Sequence, residues 1–336
     1  MNYKRKLAKL NNKYIWFFIS TAIIAGIIYF SDFSQFVDSI QNADLMLLVP
    51  AFILGLAVFP VWSYVWYRIF HKMGIGTSYT TALEVFMSGF FMNSVTPLGQ
   101  FGGEPVMAYI VKDSQDVEYK KAISSVFSAD VINTVPVLTF GIGGAIYAFF
   151  FRSVRQMMLQ GLYIALIVVA IGGPLMYLLW FESDKLKDVL RVILDKLKVF
   201  GLDQVRIDSL MENVDDTLAS FQIIGEDPAY LFKTGLVAHF GFVIQVFCLY
   251  FVLWSLGHQP DITPLYFIIA FSGLANFSPT PGGSGTFEAA MAGLVSLFLP
   301  VSFATGISAA IIYRMTTYWP GLIIGYFTLN RVNGGK

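Results

Sequence analysis

The strongest constraint on how this chain can fold is its set of apolar runs, each long enough to cross a lipid bilayer or nearly so. A helix spanning the hydrocarbon core needs about 20 apolar residues. Full-length candidates lie near residues 14–30, 45–70, 122–150, 159–181, 231–256 and 303–329. Two further apolar stretches, 80–111 and 264–299, are interrupted midway by Pro/Gly-rich segments, TPLGQFGGEP and SPTPGGSG, so each half is short for a span. Non-helical backbone at membrane depth survives only where protein or a wet cavity satisfies its N–H and C=O groups. The economical reading is a pair of re-entrant helical hairpins. The expected fold class is an all-α integral membrane protein with about six full transmembrane helices and two such hairpins.

Composition agrees. Only 13% of the 336 residues are charged, about half the roughly 25% usual in soluble domains. Lys plus Arg balances Asp plus Glu at 22 each, so no global charge points to nucleic acid. A single cysteine, Cys248, forms no intrachain disulfide, and His71, His239 and His258 stand far apart. Neither a metal nor any other cofactor is expected. The first apolar run follows Lys4, Arg5, Lys6, Lys9 and Lys13, as in a signal peptide. Ser31-Asp32-Phe33 is a poor cleavage site, however, which favours a retained anchor.

Lys and Arg placement sets the orientation. With the N-terminus inside, only Arg152 and Arg155 fall outside and Arg314 falls within the membrane; the other basic residues are cytoplasmic. This bias requires hairpin 80–111 to enter and leave from the cytoplasm, and hairpin 264–299 from the opposite side. The expected location is the cell membrane, with both termini cytoplasmic. The polar stretch 182–230 spaces its apolar residues as two amphipathic helices. Acids outnumber bases there, so a connector is favoured over a segment attracted to anionic lipid.

An internal repeat underlies the pattern. A single offset of 184 residues pairs Ser88 with Ser272, Gly89 with Gly273, Pro97 with Pro281, Gly99 with Gly283 and Glu104 with Glu288. Each unit, 45–150 and 231–329, is a span, a hairpin and a span, and the charge rule gives the two opposite orientations. The remaining segments are 1–44 (N-terminus, first span and outer loop), 151–181 (outer loop and connecting span), 182–230 (cytoplasmic helices) and 330–336 (tail). Inverted repeats place a substrate near the midplane, where broken helices point their ends at it.

The same offset pairs Asp130 with Arg314, both deep within expected spans. A lone charge at the bilayer centre costs about 3 kcal/mol on insertion scales, so buried charges find partners. The expectation is an Asp130–Arg314 pair: a structural clamp, a gate, or a cation that holds a lipid phosphate. Glu104 and Glu288 follow the glycine breaks, where a carboxylate either caps a helix start or serves as a proton, cation or ammonium site. Gly99, Gly102, Gly103, Gly282, Gly283 and Gly285 permit positive φ and close backbone approach. Asn93, Thr96, Asn133, Asn276 and Thr280 are uncharged ligands for the same cavity or helix–helix contacts. No catalytic set emerges, and an enzyme is not expected.

The segments PLGQFGGEPVMAYIVK and SPTPGGSGTFEAAMAGLV resemble the two hallmark segments of the lysylphosphatidylglycerol synthase transmembrane, or flippase-like, family. The likeness covers nearly the whole chain. It implies a multi-pass domain that moves lipids between leaflets, its route lined by Gly102, Gly103, Glu104 and Pro105, then Pro279, Pro281, Gly282, Gly283, Gly285 and Glu288. The aminoacyl-transferase domain of some members is not part of this sequence, and Met107 stands where members often carry a basic residue. The functional expectation is a phospholipid or lipid-linked-sugar flippase in contact with the bilayer, with self-association or a lipid-synthesis enzyme as partner. An ion-coupled transporter or channel for a small polar solute is the alternative.

Overall fold

The computed structural model describes residues 37–38, 40–96, 100–151, 170–175, 177–197, 211, 218, 221–275, 278 and 280–334. Among them the main elements are helices, and no strand occurs. They are α1 (Leu45–Lys72), α2 (Tyr79–Val95), α3 (Gln100–Gln115), α4 (Tyr119–Phe151), α5 (Ser183–Leu197), α6 (Pro228–Ser255), α7 (Ile262–Leu274), α8 (Thr286–Phe298) and α9 (Phe303–Gly334). A 3₁₀ turn, Pro281–Gly283, precedes α8.

Three of these helices are long and apolar enough to cross a membrane: α1, α4 over Tyr119–Gly143, and α6. At 32 residues α9 has the length, but Arg314, Thr316 and Thr317 interrupt its apolar run. The expected span 14–30, most of 159–181 and most of the second amphipathic helix lie outside the described residues. Helix α5 is amphipathic as expected, with Leu186 buried and Val189, Val192 and Ile193 exposed. In each interrupted stretch one helix ends and another begins: α2 ends at Val95 and α3 starts at Gln100, and α7 ends at Leu274 and α8 starts at Thr286.

The chain divides into two compact units. The first takes residues 1–60, 87–106 and 241–336. Within it α8 packs against α7 and α9, and glycines let the helices close up, as small residues do where lipid offers no hydrophobic drive between helices. A Cβ at Gly306 of α9 would stand 2.6 Å from the Ala292 carbonyl of α8, and one at Gly55 of α1 would strike the Thr316 carbonyl. Gly321 accommodates Phe59 and Phe90, and Gly325 sits on the Met87 carbonyl. The second unit takes residues 61–86 and 107–240. Its core centres on the fully buried Trp66, edge-on to Phe70 and Phe86. Tyr64, Tyr67 and Tyr79 cluster beside one another near the end of α1.

Candidate functional site

The second break supplies the most developed constellation, all of it in the first unit. Proline at 281 starts a 3₁₀ turn, and Gly282, Gly283 and Gly285 follow with φ of 57°, 66° and 84°. These left-handed positions need glycine, and Gly282 needs it twice, because a Cβ there would strike the Tyr318 ring. The turn leaves the Gly282 carbonyl pointing at α9 and the Gly285 N–H at the start of α8.

Arg314 and Glu288 fill that geometry. The Arg314 Nη2 donates to the Gly282 carbonyl oxygen at 2.9 Å, and Nη1 stands 3.3 Å from Glu288 Oε1. Glu288 Oε2 accepts the Gly285 N–H at 2.7 Å. The guanidinium carbon lies 3.7 Å from the centroid of Tyr318 and 5.3 Å from that of Phe287. Arg314 is 4% exposed and Glu288 7%. One carboxylate therefore both caps α8, as the dipole argument expected, and neutralises a buried cation. The Nη1 contact is an ion pair without an aligned hydrogen bond, so this amino group retains hydrogen-bonding capacity. Beside it the hydroxyls of Ser278, Thr280 and Thr286 interlink, with Ser278 2.8 Å from Thr280 and 2.7 Å from Thr286. Thr286 donates to the Gly283 carbonyl at 2.8 Å.

Helix α2 borders this site through aromatic contact: Phe90 meets Tyr318 edge-on at 5.9 Å. Gly102 and Gly103, in the stretch after α2, behave otherwise than expected. They do not form the break, because α3 already starts at Gln100. Gly103 is glycine for space, since a Cβ there would occupy the position of the Asn93 side chain. Glu104, 4% exposed, lies in the second turn of α3. Thr96 closes α2 by donating to the Met92 carbonyl at 2.7 Å. Pro97, Gly99, Asn276 and Pro279 lie outside the described residues.

Asp130 and Arg314, expected as partners, lie in different units, and each has a contact within its own. Arg314 is paired with Glu288. Asp130, in the second unit, accepts the Trp66 indole N–H at 3.1 Å, and its other carboxylate oxygen is sealed without a donor. Asn133, one turn along α4, has a sealed Oδ1 in the same condition. Sequence reasoning missed Tyr318, Phe287 and Thr286. Tyr318 was findable, since it lies four residues after Arg314 on the same helix face, where cation and ring meet. No group of three or more His, Cys, Asp or Glu side chains suited to a metal ion occurs among the described residues.

These features define a class: a multi-pass helical membrane protein whose broken helices carry a buried ion pair. The lysylphosphatidylglycerol synthase TM region model matches residues 17–325, and the chain belongs to that family. It is similar to the UPF0104 membrane protein of Pyrococcus horikoshii, 20% identical with 93% of this chain and 95% of that one covered. A UPF0104 membrane protein of Methanocaldococcus jannaschii is 21% identical, covering 96% and 95%. One of Methanothermobacter thermautotrophicus is 23% identical, covering 93% and 91%.

Proposed function

We propose that this protein moves the polar head group of a membrane lipid between leaflets, the tails staying in the bilayer while the head group passes the two helix breaks. The observation that carries this reading is the Arg314–Glu288 pair at the second break. A rise of about 1.5 Å per residue puts Arg314 roughly 17 Å along a helix about 48 Å long, so α9 as a span holds its cation well inside the hydrocarbon. Intramembrane charges are costly and mark substrate or ion routes. The carboxylate, the guanidinium and the hydroxyls of Ser278, Thr280 and Thr286 suit a phosphate- or sugar-bearing head group. On this reading the breaks are the tips of re-entrant hairpins entered from opposite sides, and labelling would find Lys112 and Asp261 in different compartments.

The test is a reconstituted assay in which a fluorescent phospholipid in the outer leaflet of liposomes is bleached by dithionite. Wild-type protein is expected to move the lipid across, and Arg314→Gln is expected to abolish movement while remaining folded. Wild-type liposomes no faster than protein-free ones, across anionic, zwitterionic and sugar-linked probes, would refute the reading. Ion-dependent uptake of a small polar solute without lipid movement would replace it with the ion-coupled alternative.

A further inference from the structure

A second cationic site lies at the end of α1, within the second unit. Arg68 is half-buried there, and each part of it but one is fixed. Its Nε donates to Thr234 Oγ1 at 2.9 Å. Its guanidinium carbon lies 4.3 Å from the centroid of the Tyr230 ring, and the Tyr230 hydroxyl donates to the Arg68 backbone carbonyl. The ring is thus locked under the cation it supports. Lys72, one turn on, approaches the same ring at 5.3 Å and pairs with Asp227 at 3.3 Å.

The remaining part is the pair of terminal amino groups of Arg68. Among the described residues they meet no acceptor, and they are not among the sealed polar atoms. No carboxylate among the described residues pairs with Arg68, while Asp227 is engaged by Lys72 and by the Tyr230 backbone N–H. A planar fork of donors held on an aromatic shelf, with no carboxylate of its own, matches a phosphate. The depth also fits. Both α1 and α6 are long and apolar enough to span a membrane. Arg68 and Lys72 close the first, Tyr230 and Thr234 open the second, and Tyr64, Tyr67 and Tyr79 cluster beside them. Aromatic belts of this kind mark the head-group layer of a bilayer.

We infer that Arg68, seated on Tyr230 and flanked by Lys72, is a binding site for the phosphate group of an anionic phospholipid in the leaflet that these helix ends reach. The site takes one phosphate: the two amino groups of Arg68 donate to its oxygens, and the Lys72–Asp227 pair borders it. A helix-to-helix clamp alone would need the stacked cation but not its unused donors.

The experiment uses the full chain in nanodiscs of phosphatidylcholine, with or without phosphatidylglycerol, and in detergent with inorganic phosphate. Readouts are the thermal midpoint and native mass spectrometry of retained lipid. Phosphatidylglycerol is expected to raise the midpoint of the wild type and to stay bound on release. Arg68→Gln is expected to weaken that retention about ten-fold, the scale of losing charge-assisted hydrogen bonds. Thr234→Val keeps every charge and loosens only the orientation of the guanidinium, so a few-fold loss is expected in a fully folded protein. Equal retention of phosphatidylglycerol by wild type and both variants would overturn the site. A midpoint raised as much by inorganic phosphate as by phosphatidylglycerol would assign the anion to solution and overturn the lipid assignment.

Discussion

Glu288→Gln isolates the buried ion pair at the second break. The amide keeps an oxygen for the Gly285 N–H, and the side chain keeps its shape, so only the charge is lost. At 3.3 Å and an effective dielectric of about 20, opposite unit charges attract by about 5 kcal/mol before desolvation is counted. Breaking a buried pair by removing one partner costs about 3–5 kcal/mol, because the other charge stays buried and unpaired. Arg314 keeps the Gly282 carbonyl and the face of Tyr318, which sets the expected loss near the lower bound, about 3 kcal/mol. The assay is reversible unfolding of the detergent-solubilised chain, run as a cycle with Arg314→Gln and the double variant. With both charges gone, nothing unpaired remains, so the double variant is expected to recover at least about 2 kcal/mol relative to the sum of the single losses. A Glu288→Gln loss under about 0.5 kcal/mol, the ordinary range for surface changes, would refute the pair, as would strictly additive losses.

The other predictions concern separate contacts. Gly282→Ala forces a Cβ into the Tyr318 ring at φ 57° and is expected to destabilise by about 2–4 kcal/mol. Combining it with Tyr318→Leu removes the clash and is expected to return part of that loss in the same unfolding assay. Trp66→Phe removes the donor to Asp130 and is expected to cost about 1–3 kcal/mol, with Trp62→Phe as a control whose indole N–H has no partner. Asp227 sits at the mouth of α6, where first the Tyr230 backbone N–H and then Lys72 hold its carboxyl below its ordinary value of 3.8. A depressed carboxylate contributes stability above the unfolded value and loses it as pH falls through the folded one. The thermal midpoint of wild type should therefore exceed that of Asp227→Asn at pH 6, and the gap should close below about pH 4.

Much of the architecture was legible because lipid imposes it: apolar runs must be helices, and Pro/Gly clusters inside them must be breaks. The turn before α8 falls where SPTPGGSG placed it, whereas most of TPLGQFGGEP already belongs to α3. The roles of individual glycines were less legible, because a sequence does not distinguish glycine needed for positive φ from glycine needed for room. Gly282 and Gly285 are of the first kind, while Gly103 is helical and makes room for Asn93. Helix α9 shows how composition and length can part. Of the six runs, 14–30 and most of 159–181 lie outside the described residues; three helices are long and apolar enough to span, and α9 has the length but carries Arg314, Thr316 and Thr317.

The charged residues show why a repeat predicts positions better than partners. The 184-residue offset aligns Glu104 with Glu288 and Asp130 with Arg314, and symmetry suggested pairing the two unlike charges. Partner choice is decided by local reach instead. Once the left-handed turn at Gly282 to Gly285 starts α8, Glu288 is fixed by the Gly285 N–H, and α9 packs directly on α8. Arg314 therefore meets a carboxylate that is already oriented. Asp130 has an indole N–H at 3.1 Å, and its second carboxylate oxygen is sealed without a donor. The second break holds a paired cation with an incompletely bonded amino group, and the base at 314 has an acid at its repeat position. If head groups do pass both breaks, anionic groups should be held at the second, and exchanging Glu288 with Arg314 should preserve the pair's charge balance but abolish transport. Transport that survived the exchange would show that the pair only braces α8 against α9.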